Sequence, residues 1–388
     1  MSPVLALRVA LVRVGFALGR LLPVRPRVVL ATSHADRLGG NLARIRDELA
    51  GTRRSARVVV LAWRPWGRRF GRVEAALAEI RAGFLLATSR LVVVDDYFFP
   101  MYVVRPRPGT RFVQVWHACG AFKKFGYSVV DKGFGADEAR VEALPIHTNY
   151  DLCLVSAQRF VPAYAEAFRQ PPERFTARLG IPRTDLFFDA DRMAAAAATV
   201  RRRYGLPEGK RVILYAPTFR GERTTEARNP DGLDLEVMAR ELGDDAVVLL
   251  RAHPFVAAAA PSDPVLAGFL RDVSDHPDIN ELMLVSDVLV TDYSSAMYEY
   301  ALLGRPMAFF APDHEAYETE RGFYFDFQAG VPGPIFTTTE SLAAWLRTPP
   351  AEADLERVRR FAAESFDVAD GAATRRFVTE VVDPALAP

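Results

Sequence analysis

Five stretches of this chain hold residues able to do chemistry, and most follow directly on an apolar run. In 288–306, VLVTDYSSAMYEYALLGRP, the run Val288–Thr291 gives way to Asp292, Tyr293, Ser294 and Ser295, then to a helical pattern closed by Gly304. Unpaired amides at a helix start favour an anion and serine hydroxyls add donors, so a pyrophosphate could rest there. Glu299, seven residues after Asp292, can accept hydrogen bonds from a ribose diol. The plainer account makes Ser294 an N-cap and Glu299 part of a solvated face.

In Arg251-Ala252-His253-Pro254, after Val247–Leu250, the arginine can clamp a phosphate oxygen and the histidine can donate to one or shuttle a proton. In VQVWHACGAFKKFG, 113–126, His117 follows a buried-type strand and is the natural general base for an acceptor hydroxyl. Lys123 and Lys124 could meet acceptor phosphate or merely solvate a helix. Thr218 and Arg220 follow a further strand in ILYAPTFRG, 213–221, again as a phosphate clamp. Arg321 to Asp326 (RGFYFD), after Asp313 and His314, reads as a loop over a cleft whose polar groups contact the transferred moiety.

Such residues need strands to present them. Val28–Thr32, Val58–Ala62, Leu91–Val94, Phe112–Trp116 and Leu152–Ser156 alternate with helical patterns, and the grammar resumes at Val212–Ala216, Val247–Arg251, Val288–Thr291 and Met307–Phe310. Continuous apolar runs separated by helices predict parallel sheets covered on both faces, which bind ligands at the carboxyl ends of their strands. The fold class expected is α/β: two Rossmann-like, doubly wound domains facing a central cleft, 25–178 for the acceptor and 179–388 for the donor. The segment Leu355–Val382 reads as helical and packs back on the first domain.

At 388 residues, half hydrophobic and a quarter charged, the chain suits two globular domains. Cys119 and Cys153 form no C-x-x-C pair and read as free thiols. The net charge of +1 hides a division: residues 1–72 carry 15 arginines against Asp36, Asp47 and Glu48, so this part is +12 and the remainder −11. Val4–Leu22 is apolar but interrupted by Arg8, Arg13 and Arg20, and each arginine at a bilayer centre costs about 2.5–3.5 kcal/mol. A helix over 1–24 lying in the interface lifts those charges to the headgroups, and the same arginines disfavour a signal peptide.

Residues 53–72 hold seven arginines with Trp63 and Trp66, a composition suited to an anionic membrane surface and expected to touch a membrane-borne acceptor. A solvated loop is the plainer alternative. Nucleic acid is the minor competitor and is not expected as a partner.

No G-x-x-x-x-G-K-[ST] and no post-strand G-x-G-x-x-G occurs, which removes the main support for kinases and dehydrogenases. Asp189 and Asp191 are better explained by helix capping than by metal binding, so no catalytic metal and no cofactor is expected.

In order along 110–340, WHACGAFKKFG, LYAPTFRG, RAHP, INELMLVSDVLVTDYSSAMYEYALLGRPMAFF and RGFYFDF with PGPI resemble the CDP-glycerol glycerophosphotransferase family of teichoic-acid synthesis. The resemblance implies a GT-B architecture, a CDP-activated polyol as donor substrate, and attack of an acceptor hydroxyl on the donor phosphorus with CMP leaving. It implies His117 as base; Arg251, His253, Thr291, Ser294 and Ser295 around the diphosphate; and Glu299 on ribose. Polymerising members show Gly-Thr-Pro after the histidine where this chain has Ala118-Cys119-Gly120, which looks more like the priming branch. A polyprenyl-diphosphate-linked saccharide at the cytoplasmic face of the cell membrane is the implied acceptor. The rival readings are a GT-B glycosyltransferase using a nucleotide sugar and a membrane-bound nucleotide-binding module without turnover.

Overall fold

The computed structural model describes residues 2–33, 35–52, 54, 57–62, 71–130, 132, 138–221, 232–252, 266 and 268–387. His253, Trp63 and Trp66 lie outside the described residues.

Two six-stranded parallel sheets carry the chain. The first is built from β1 (Arg25–Thr32), β2 (Val58–Ala62), β3 (Ser89–Val94), β4 (Arg111–Gln114), β5 (Leu152–Leu154) and β6 (Phe175–Thr176), in the order β2-β1-β3-β4-β5-β6. The second comprises β7 (Arg211–Ala216), β8 (Ala246–Leu250), β9 (Leu270–Asp272), β10 (Val288–Thr291), β11 (Met307–Phe310) and β12 (Ile335–Phe336), in the order β12-β11-β10-β7-β8-β9. Val28–Ala31 and Leu91–Val94 are fully buried, as strands covered on both faces must be. The winding direction reverses between β1 and β3 in one sheet and between β7 and β10 in the other. Those two crevices are where such sheets hold ligands.

Helix α1 (Pro3–Arg20) is capped by Ser2, whose Oγ accepts from the Leu5 amide. It is part of the first domain, seated on α3 (Arg72–Thr88) through Val9, Val12, Gly15 and Gly19. A Cβ on Gly15 would lie 1.9 Å from the Ile80 carbonyl oxygen, and one on Gly83 2.0 Å from that of Val12, so the two backbones touch only because both positions are glycine. Arg8 meets the buried Glu79 at 2.7 Å. The opposite face leaves Val4, Leu7, Val14, Leu18 and Leu21 exposed, and Val73 and Leu77 of α3 are exposed too.

The single helical segment expected at Leu355–Val382 is broken. A helix ends at Ser365, packed on the helix Ala296–Ala301 of the second domain, and Gly371 turns the chain with φ of 77°. Residues 373–387 then pass the segment Pro182–Phe188, where Ala373 and Thr374 donate their amides to Asp185, and reach the first domain, where Asp383 pairs with Arg54. Asp189 caps the helix Ala190–Tyr204, accepting from the Arg192 amide at 3.0 Å. Among the described residues no helix is long and apolar enough to cross a membrane.

Candidate active site

His117 stands three residues beyond β4, at the end of a turn with an unusual backbone. Trp116 adopts φ of 53°, a region that costs a bulky residue about 1–3 kcal/mol and persists only when its surroundings hold it. Gln114 accepts from the Trp116 amide at 2.9 Å, while Asn41, near the start of α2 (Gly40–Leu49), donates to the carbonyls of Val115 and Trp116, both at 2.8 Å. Beyond the histidine, Gly120 has φ of 64°, and a Cβ there would lie 2.2 Å from Cζ of Tyr298. Its amide donates to Ser156 Oγ and its carbonyl accepts from Tyr164.

The imidazole packs against Trp116 at a tilt of 31°, centroids 4.5 Å apart, and is 44% exposed. Its Nδ1 is 3.2 Å from the Asp95 carbonyl, a contact that takes the Nδ1 proton and puts the lone pair on Nε2, as a base requires. Asp95 and Asp96 follow β3 directly. Burial raises the Asp95 carboxyl from 3.8 to about 7; Asp96 adds to the rise and a hydrogen bond from Thr32 opposes it.

A cavity of about 240 Å³ opens against His117. Its first-domain wall includes Lys123, Lys124 and Lys132, and its second-domain wall includes Ser295, Tyr317, Glu320 and Arg321. The two walls are joined: Lys123 forms an antiparallel bridge with Phe323, the Lys124 amide donates to Gly322, and the Tyr324 amide donates to Phe122. Phe122 stacks on Phe323 at 4.7 Å and on Phe325 at 4.9 Å. His117, Lys123, Lys124, Ser295 and Arg321, singled out in the sequence, therefore share one space. A base and three lysines on one side face a serine hydroxyl and Arg321, whose Nε pairs with Glu320 at 2.9 Å, on the other. This set of donors and cations is suited to moving a phosphoryl group onto a hydroxyl.

Other expected donor contacts do something else. Arg220 is no phosphate clamp here: it grips Asp313 through Nε at 2.5 Å and Nη2 at 3.0 Å, and Asp292 through Nη1 at 3.0 Å. Its guanidinium lies 5.1 Å and 4.8 Å from the ring centroids of Tyr293 and Tyr317, which stack on each other at 4.0 Å. Thr218 gives its amide and hydroxyl to Asp292, each at 2.9 Å. This buried cluster ties the tips of β7 and β10 together. Burial raises the Asp292 carboxyl against the opposing pull of Arg220 and Thr218.

Thr291 is fully buried and donates to the Ala216 carbonyl at 2.7 Å, so its hydroxyl serves the sheet and not a ligand. Glu299, expected to meet ribose, is buried with Oε1 3.5 Å from Arg183 Nε. Asp326 caps the turn Phe327–Gly330. Arg251 donates to the Ser274 carbonyl beyond β9. Ser294 Oγ accepts from the Ala296 amide at 3.2 Å, while the N-cap position itself falls on Ser295, which makes no side-chain cap bond.

Sequence reasoning passed over Asp95, Asp96, Asn41 and Arg183. The two aspartates carried the same signal as His117, polar residues straight after an apolar strand.

A family model for CDP-glycerol:poly(glycerophosphate) glycerophosphotransferase matches residues 16–383. The chain is 39% identical over 361 residues to a teichoic acid ribitol-phosphate primase of Bacillus spizizenii, with 92% of each chain covered. It is 34% identical over 368 residues to a teichoic acid poly(ribitol-phosphate) polymerase of the same organism, covering 94% of this chain and 58% of the other. Among solved structures, the wall teichoic acid polymerase TagF matches with a TM-score of 0.77 and 23% identity, over 96% of this chain and 93% of that one, which supports a GT-B-like fold. With both sheets and the His117 cavity inside the matched span, the chain belongs to the CDP-glycerol:poly(glycerophosphate) glycerophosphotransferase family.

Proposed function

We propose that the protein is a priming-type transferase that moves a polyol phosphate from a CDP-polyol to a hydroxyl of a polyprenyl-diphosphate-linked saccharide. The observation that carries this is the shared cavity, with the His117 base from one domain opposite Ser295 and Arg321 of the other. In the reaction, His117 Nε2 takes the acceptor proton as the acceptor oxygen bonds to the phosphorus bearing the polyol. The bond from that phosphorus to the bridging oxygen breaks, and CMP leaves. Lys123, Lys124 and Arg321 neutralise charge on the phosphoryl oxygens, the main demand of such a transition state. The near full-length relative named as a ribitol-phosphate primase favours CDP-ribitol as donor.

The protein works on the cytoplasmic membrane surface. The exposed stripe Val4, Leu7, Val14, Leu18 and Leu21, with Val73 and Leu77 beside it, supports an apolar seat in the headgroup layer, and the +12 of residues 1–72 supports attraction to anionic lipid.

The test supplies CDP-ribitol or CDP-glycerol with a lipid-linked disaccharide bearing no or one polyol phosphate, and follows product mass and released CMP. Addition of one polyol phosphate is expected. Transfer of a sugar from a nucleotide sugar, with neither CDP-polyol consumed, would overturn the assignment in favour of a glycosyltransferase.

A further inference from the structure

The connector between the domains, Pro182–Phe188, carries a largely buried cation, Arg183, that touches both of them. Arg183 donates through Nη1 to the carbonyl of His117 and through Nη2 to Asn280 Oδ1 at 3.3 Å, while its Nε lies 3.5 Å from Glu299 Oε1. His117 belongs to the first domain. Asn280 and Glu299 belong to the second, on the helices Ile279–Val285 and Ala296–Ala301. The Arg183 amide is also engaged, donating at 2.9 Å to Asn41 Oδ1, the same side chain whose Nδ2 holds the Val115 and Trp116 carbonyls. The strained turn that aims His117 is thus held by Gln114 and Asn41 from within its own domain, and by Arg183 from the connector.

Neither Asn280, fully buried, nor Glu299, 3% exposed, lines the His117 cavity, so both act at one remove from the reacting atoms. A shift of the second domain relative to the first moves them, and with them the guanidinium bonded to the His117 peptide. We propose that Arg183 is a positioning residue that makes the aim of His117 depend on correct seating of the second domain, with Glu299 and Asn280 as its anchors there. This rests on the reading of His117 as the base.

The test pairs turnover with a distance measurement. Spin labels at Glu173→Cys and Asp244→Cys, exposed positions in the first and second domains, report the interdomain distance, since Cys119 and Cys153 are buried and stay unlabelled. In Arg183→Ala and in the milder Arg183→Lys, the distance distribution is expected to widen. The kcat with CDP-ribitol is expected to fall on the order of 10²-fold in the alanine variant and less in the lysine variant, with the KM for donor changing less than about threefold. Arg183→Ala combined with Glu299→Gln should lose no more than Arg183→Ala alone, because both interrupt one link. An unwidened distribution, or a kcat within about threefold of wild type in both variants, overturns the proposal. A wild-type protein inactive with either CDP-polyol would sink the functional reading instead, and the distance widths would still decide the link.

Discussion

The carboxylate of Asp96 stands 3.7 Å from Nδ1 of His117, on the side of the ring away from the nitrogen assigned as base. An anion there stabilises the imidazolium that forms as the acceptor proton is taken. His117→Ala is expected to lower kcat by about 10²–10⁴-fold. Asp96→Asn should cost roughly tenfold in kcat with little change in donor KM. Steady-state kinetics on both variants check this, and full activity in His117→Ala would remove it as the base.

Asp95 makes stability depend on pH. Its carboxyl is raised to about 7 in the fold against 3.8 ordinarily, mainly by burial, so between those values the folded state binds the extra proton. The stability from this group is complete below about pH 4 and is lost as pH rises through 7. Asp95→Asn removes the dependence, so urea unfolding of wild type and variant should diverge from pH 4 to 8 in the variant's favour, by at most about 4 kcal/mol. Parallel pH profiles for the two proteins would contradict this.

Removing the Arg220 side chain leaves Asp292 buried without its cation. Arg220→Ala is expected to destabilise the second domain by about 3–5 kcal/mol. Arg220→Lys keeps the charge but loses the two-pronged grip on Asp313, and should lie between wild type and alanine in thermal unfolding.

Leu7→Glu combined with Leu18→Glu places charges on an exposed face, 53% and 51% exposed, and should leave the melting temperature within a few degrees. Cosedimentation with vesicles containing anionic lipid should nonetheless fall sharply. Gly83→Ala is the opposite case: its Cβ meets the Val12 carbonyl, so α1 must lift and stability drops by about 1–3 kcal/mol. Undiminished vesicle binding by the double variant would place the membrane contact elsewhere.

The two sheets were legible because nine strands are apolar runs with helical patterns between them. β6, β9 and β12 were not, being edge strands of two or three residues, too short for any periodicity to show. His117 was legible from its place after a strand, and Asp95 and Asp96 obey the same rule. Arg220 misled because its local setting fits a phosphate clamp, while the acids that consume it lie 72 and 93 residues away. Arg183 and Asn41 gave no local signal at all, since each has meaning only where the connector meets the His117 turn.

The crossing of residues 373–387 to the first domain bears on how the molecule is made. Arg54, Arg57 and Arg90 find their partners at Asp383, Leu386 and Ala387, some 300 residues later in the chain. During synthesis, amino-terminal portions ordinarily settle first, at about 5–20 residues per second. Here the first domain waits, lacking this layer, until some 300 further residues have emerged from the ribosome. Truncation upstream of Ala373 would therefore injure the half of the molecule that was translated first.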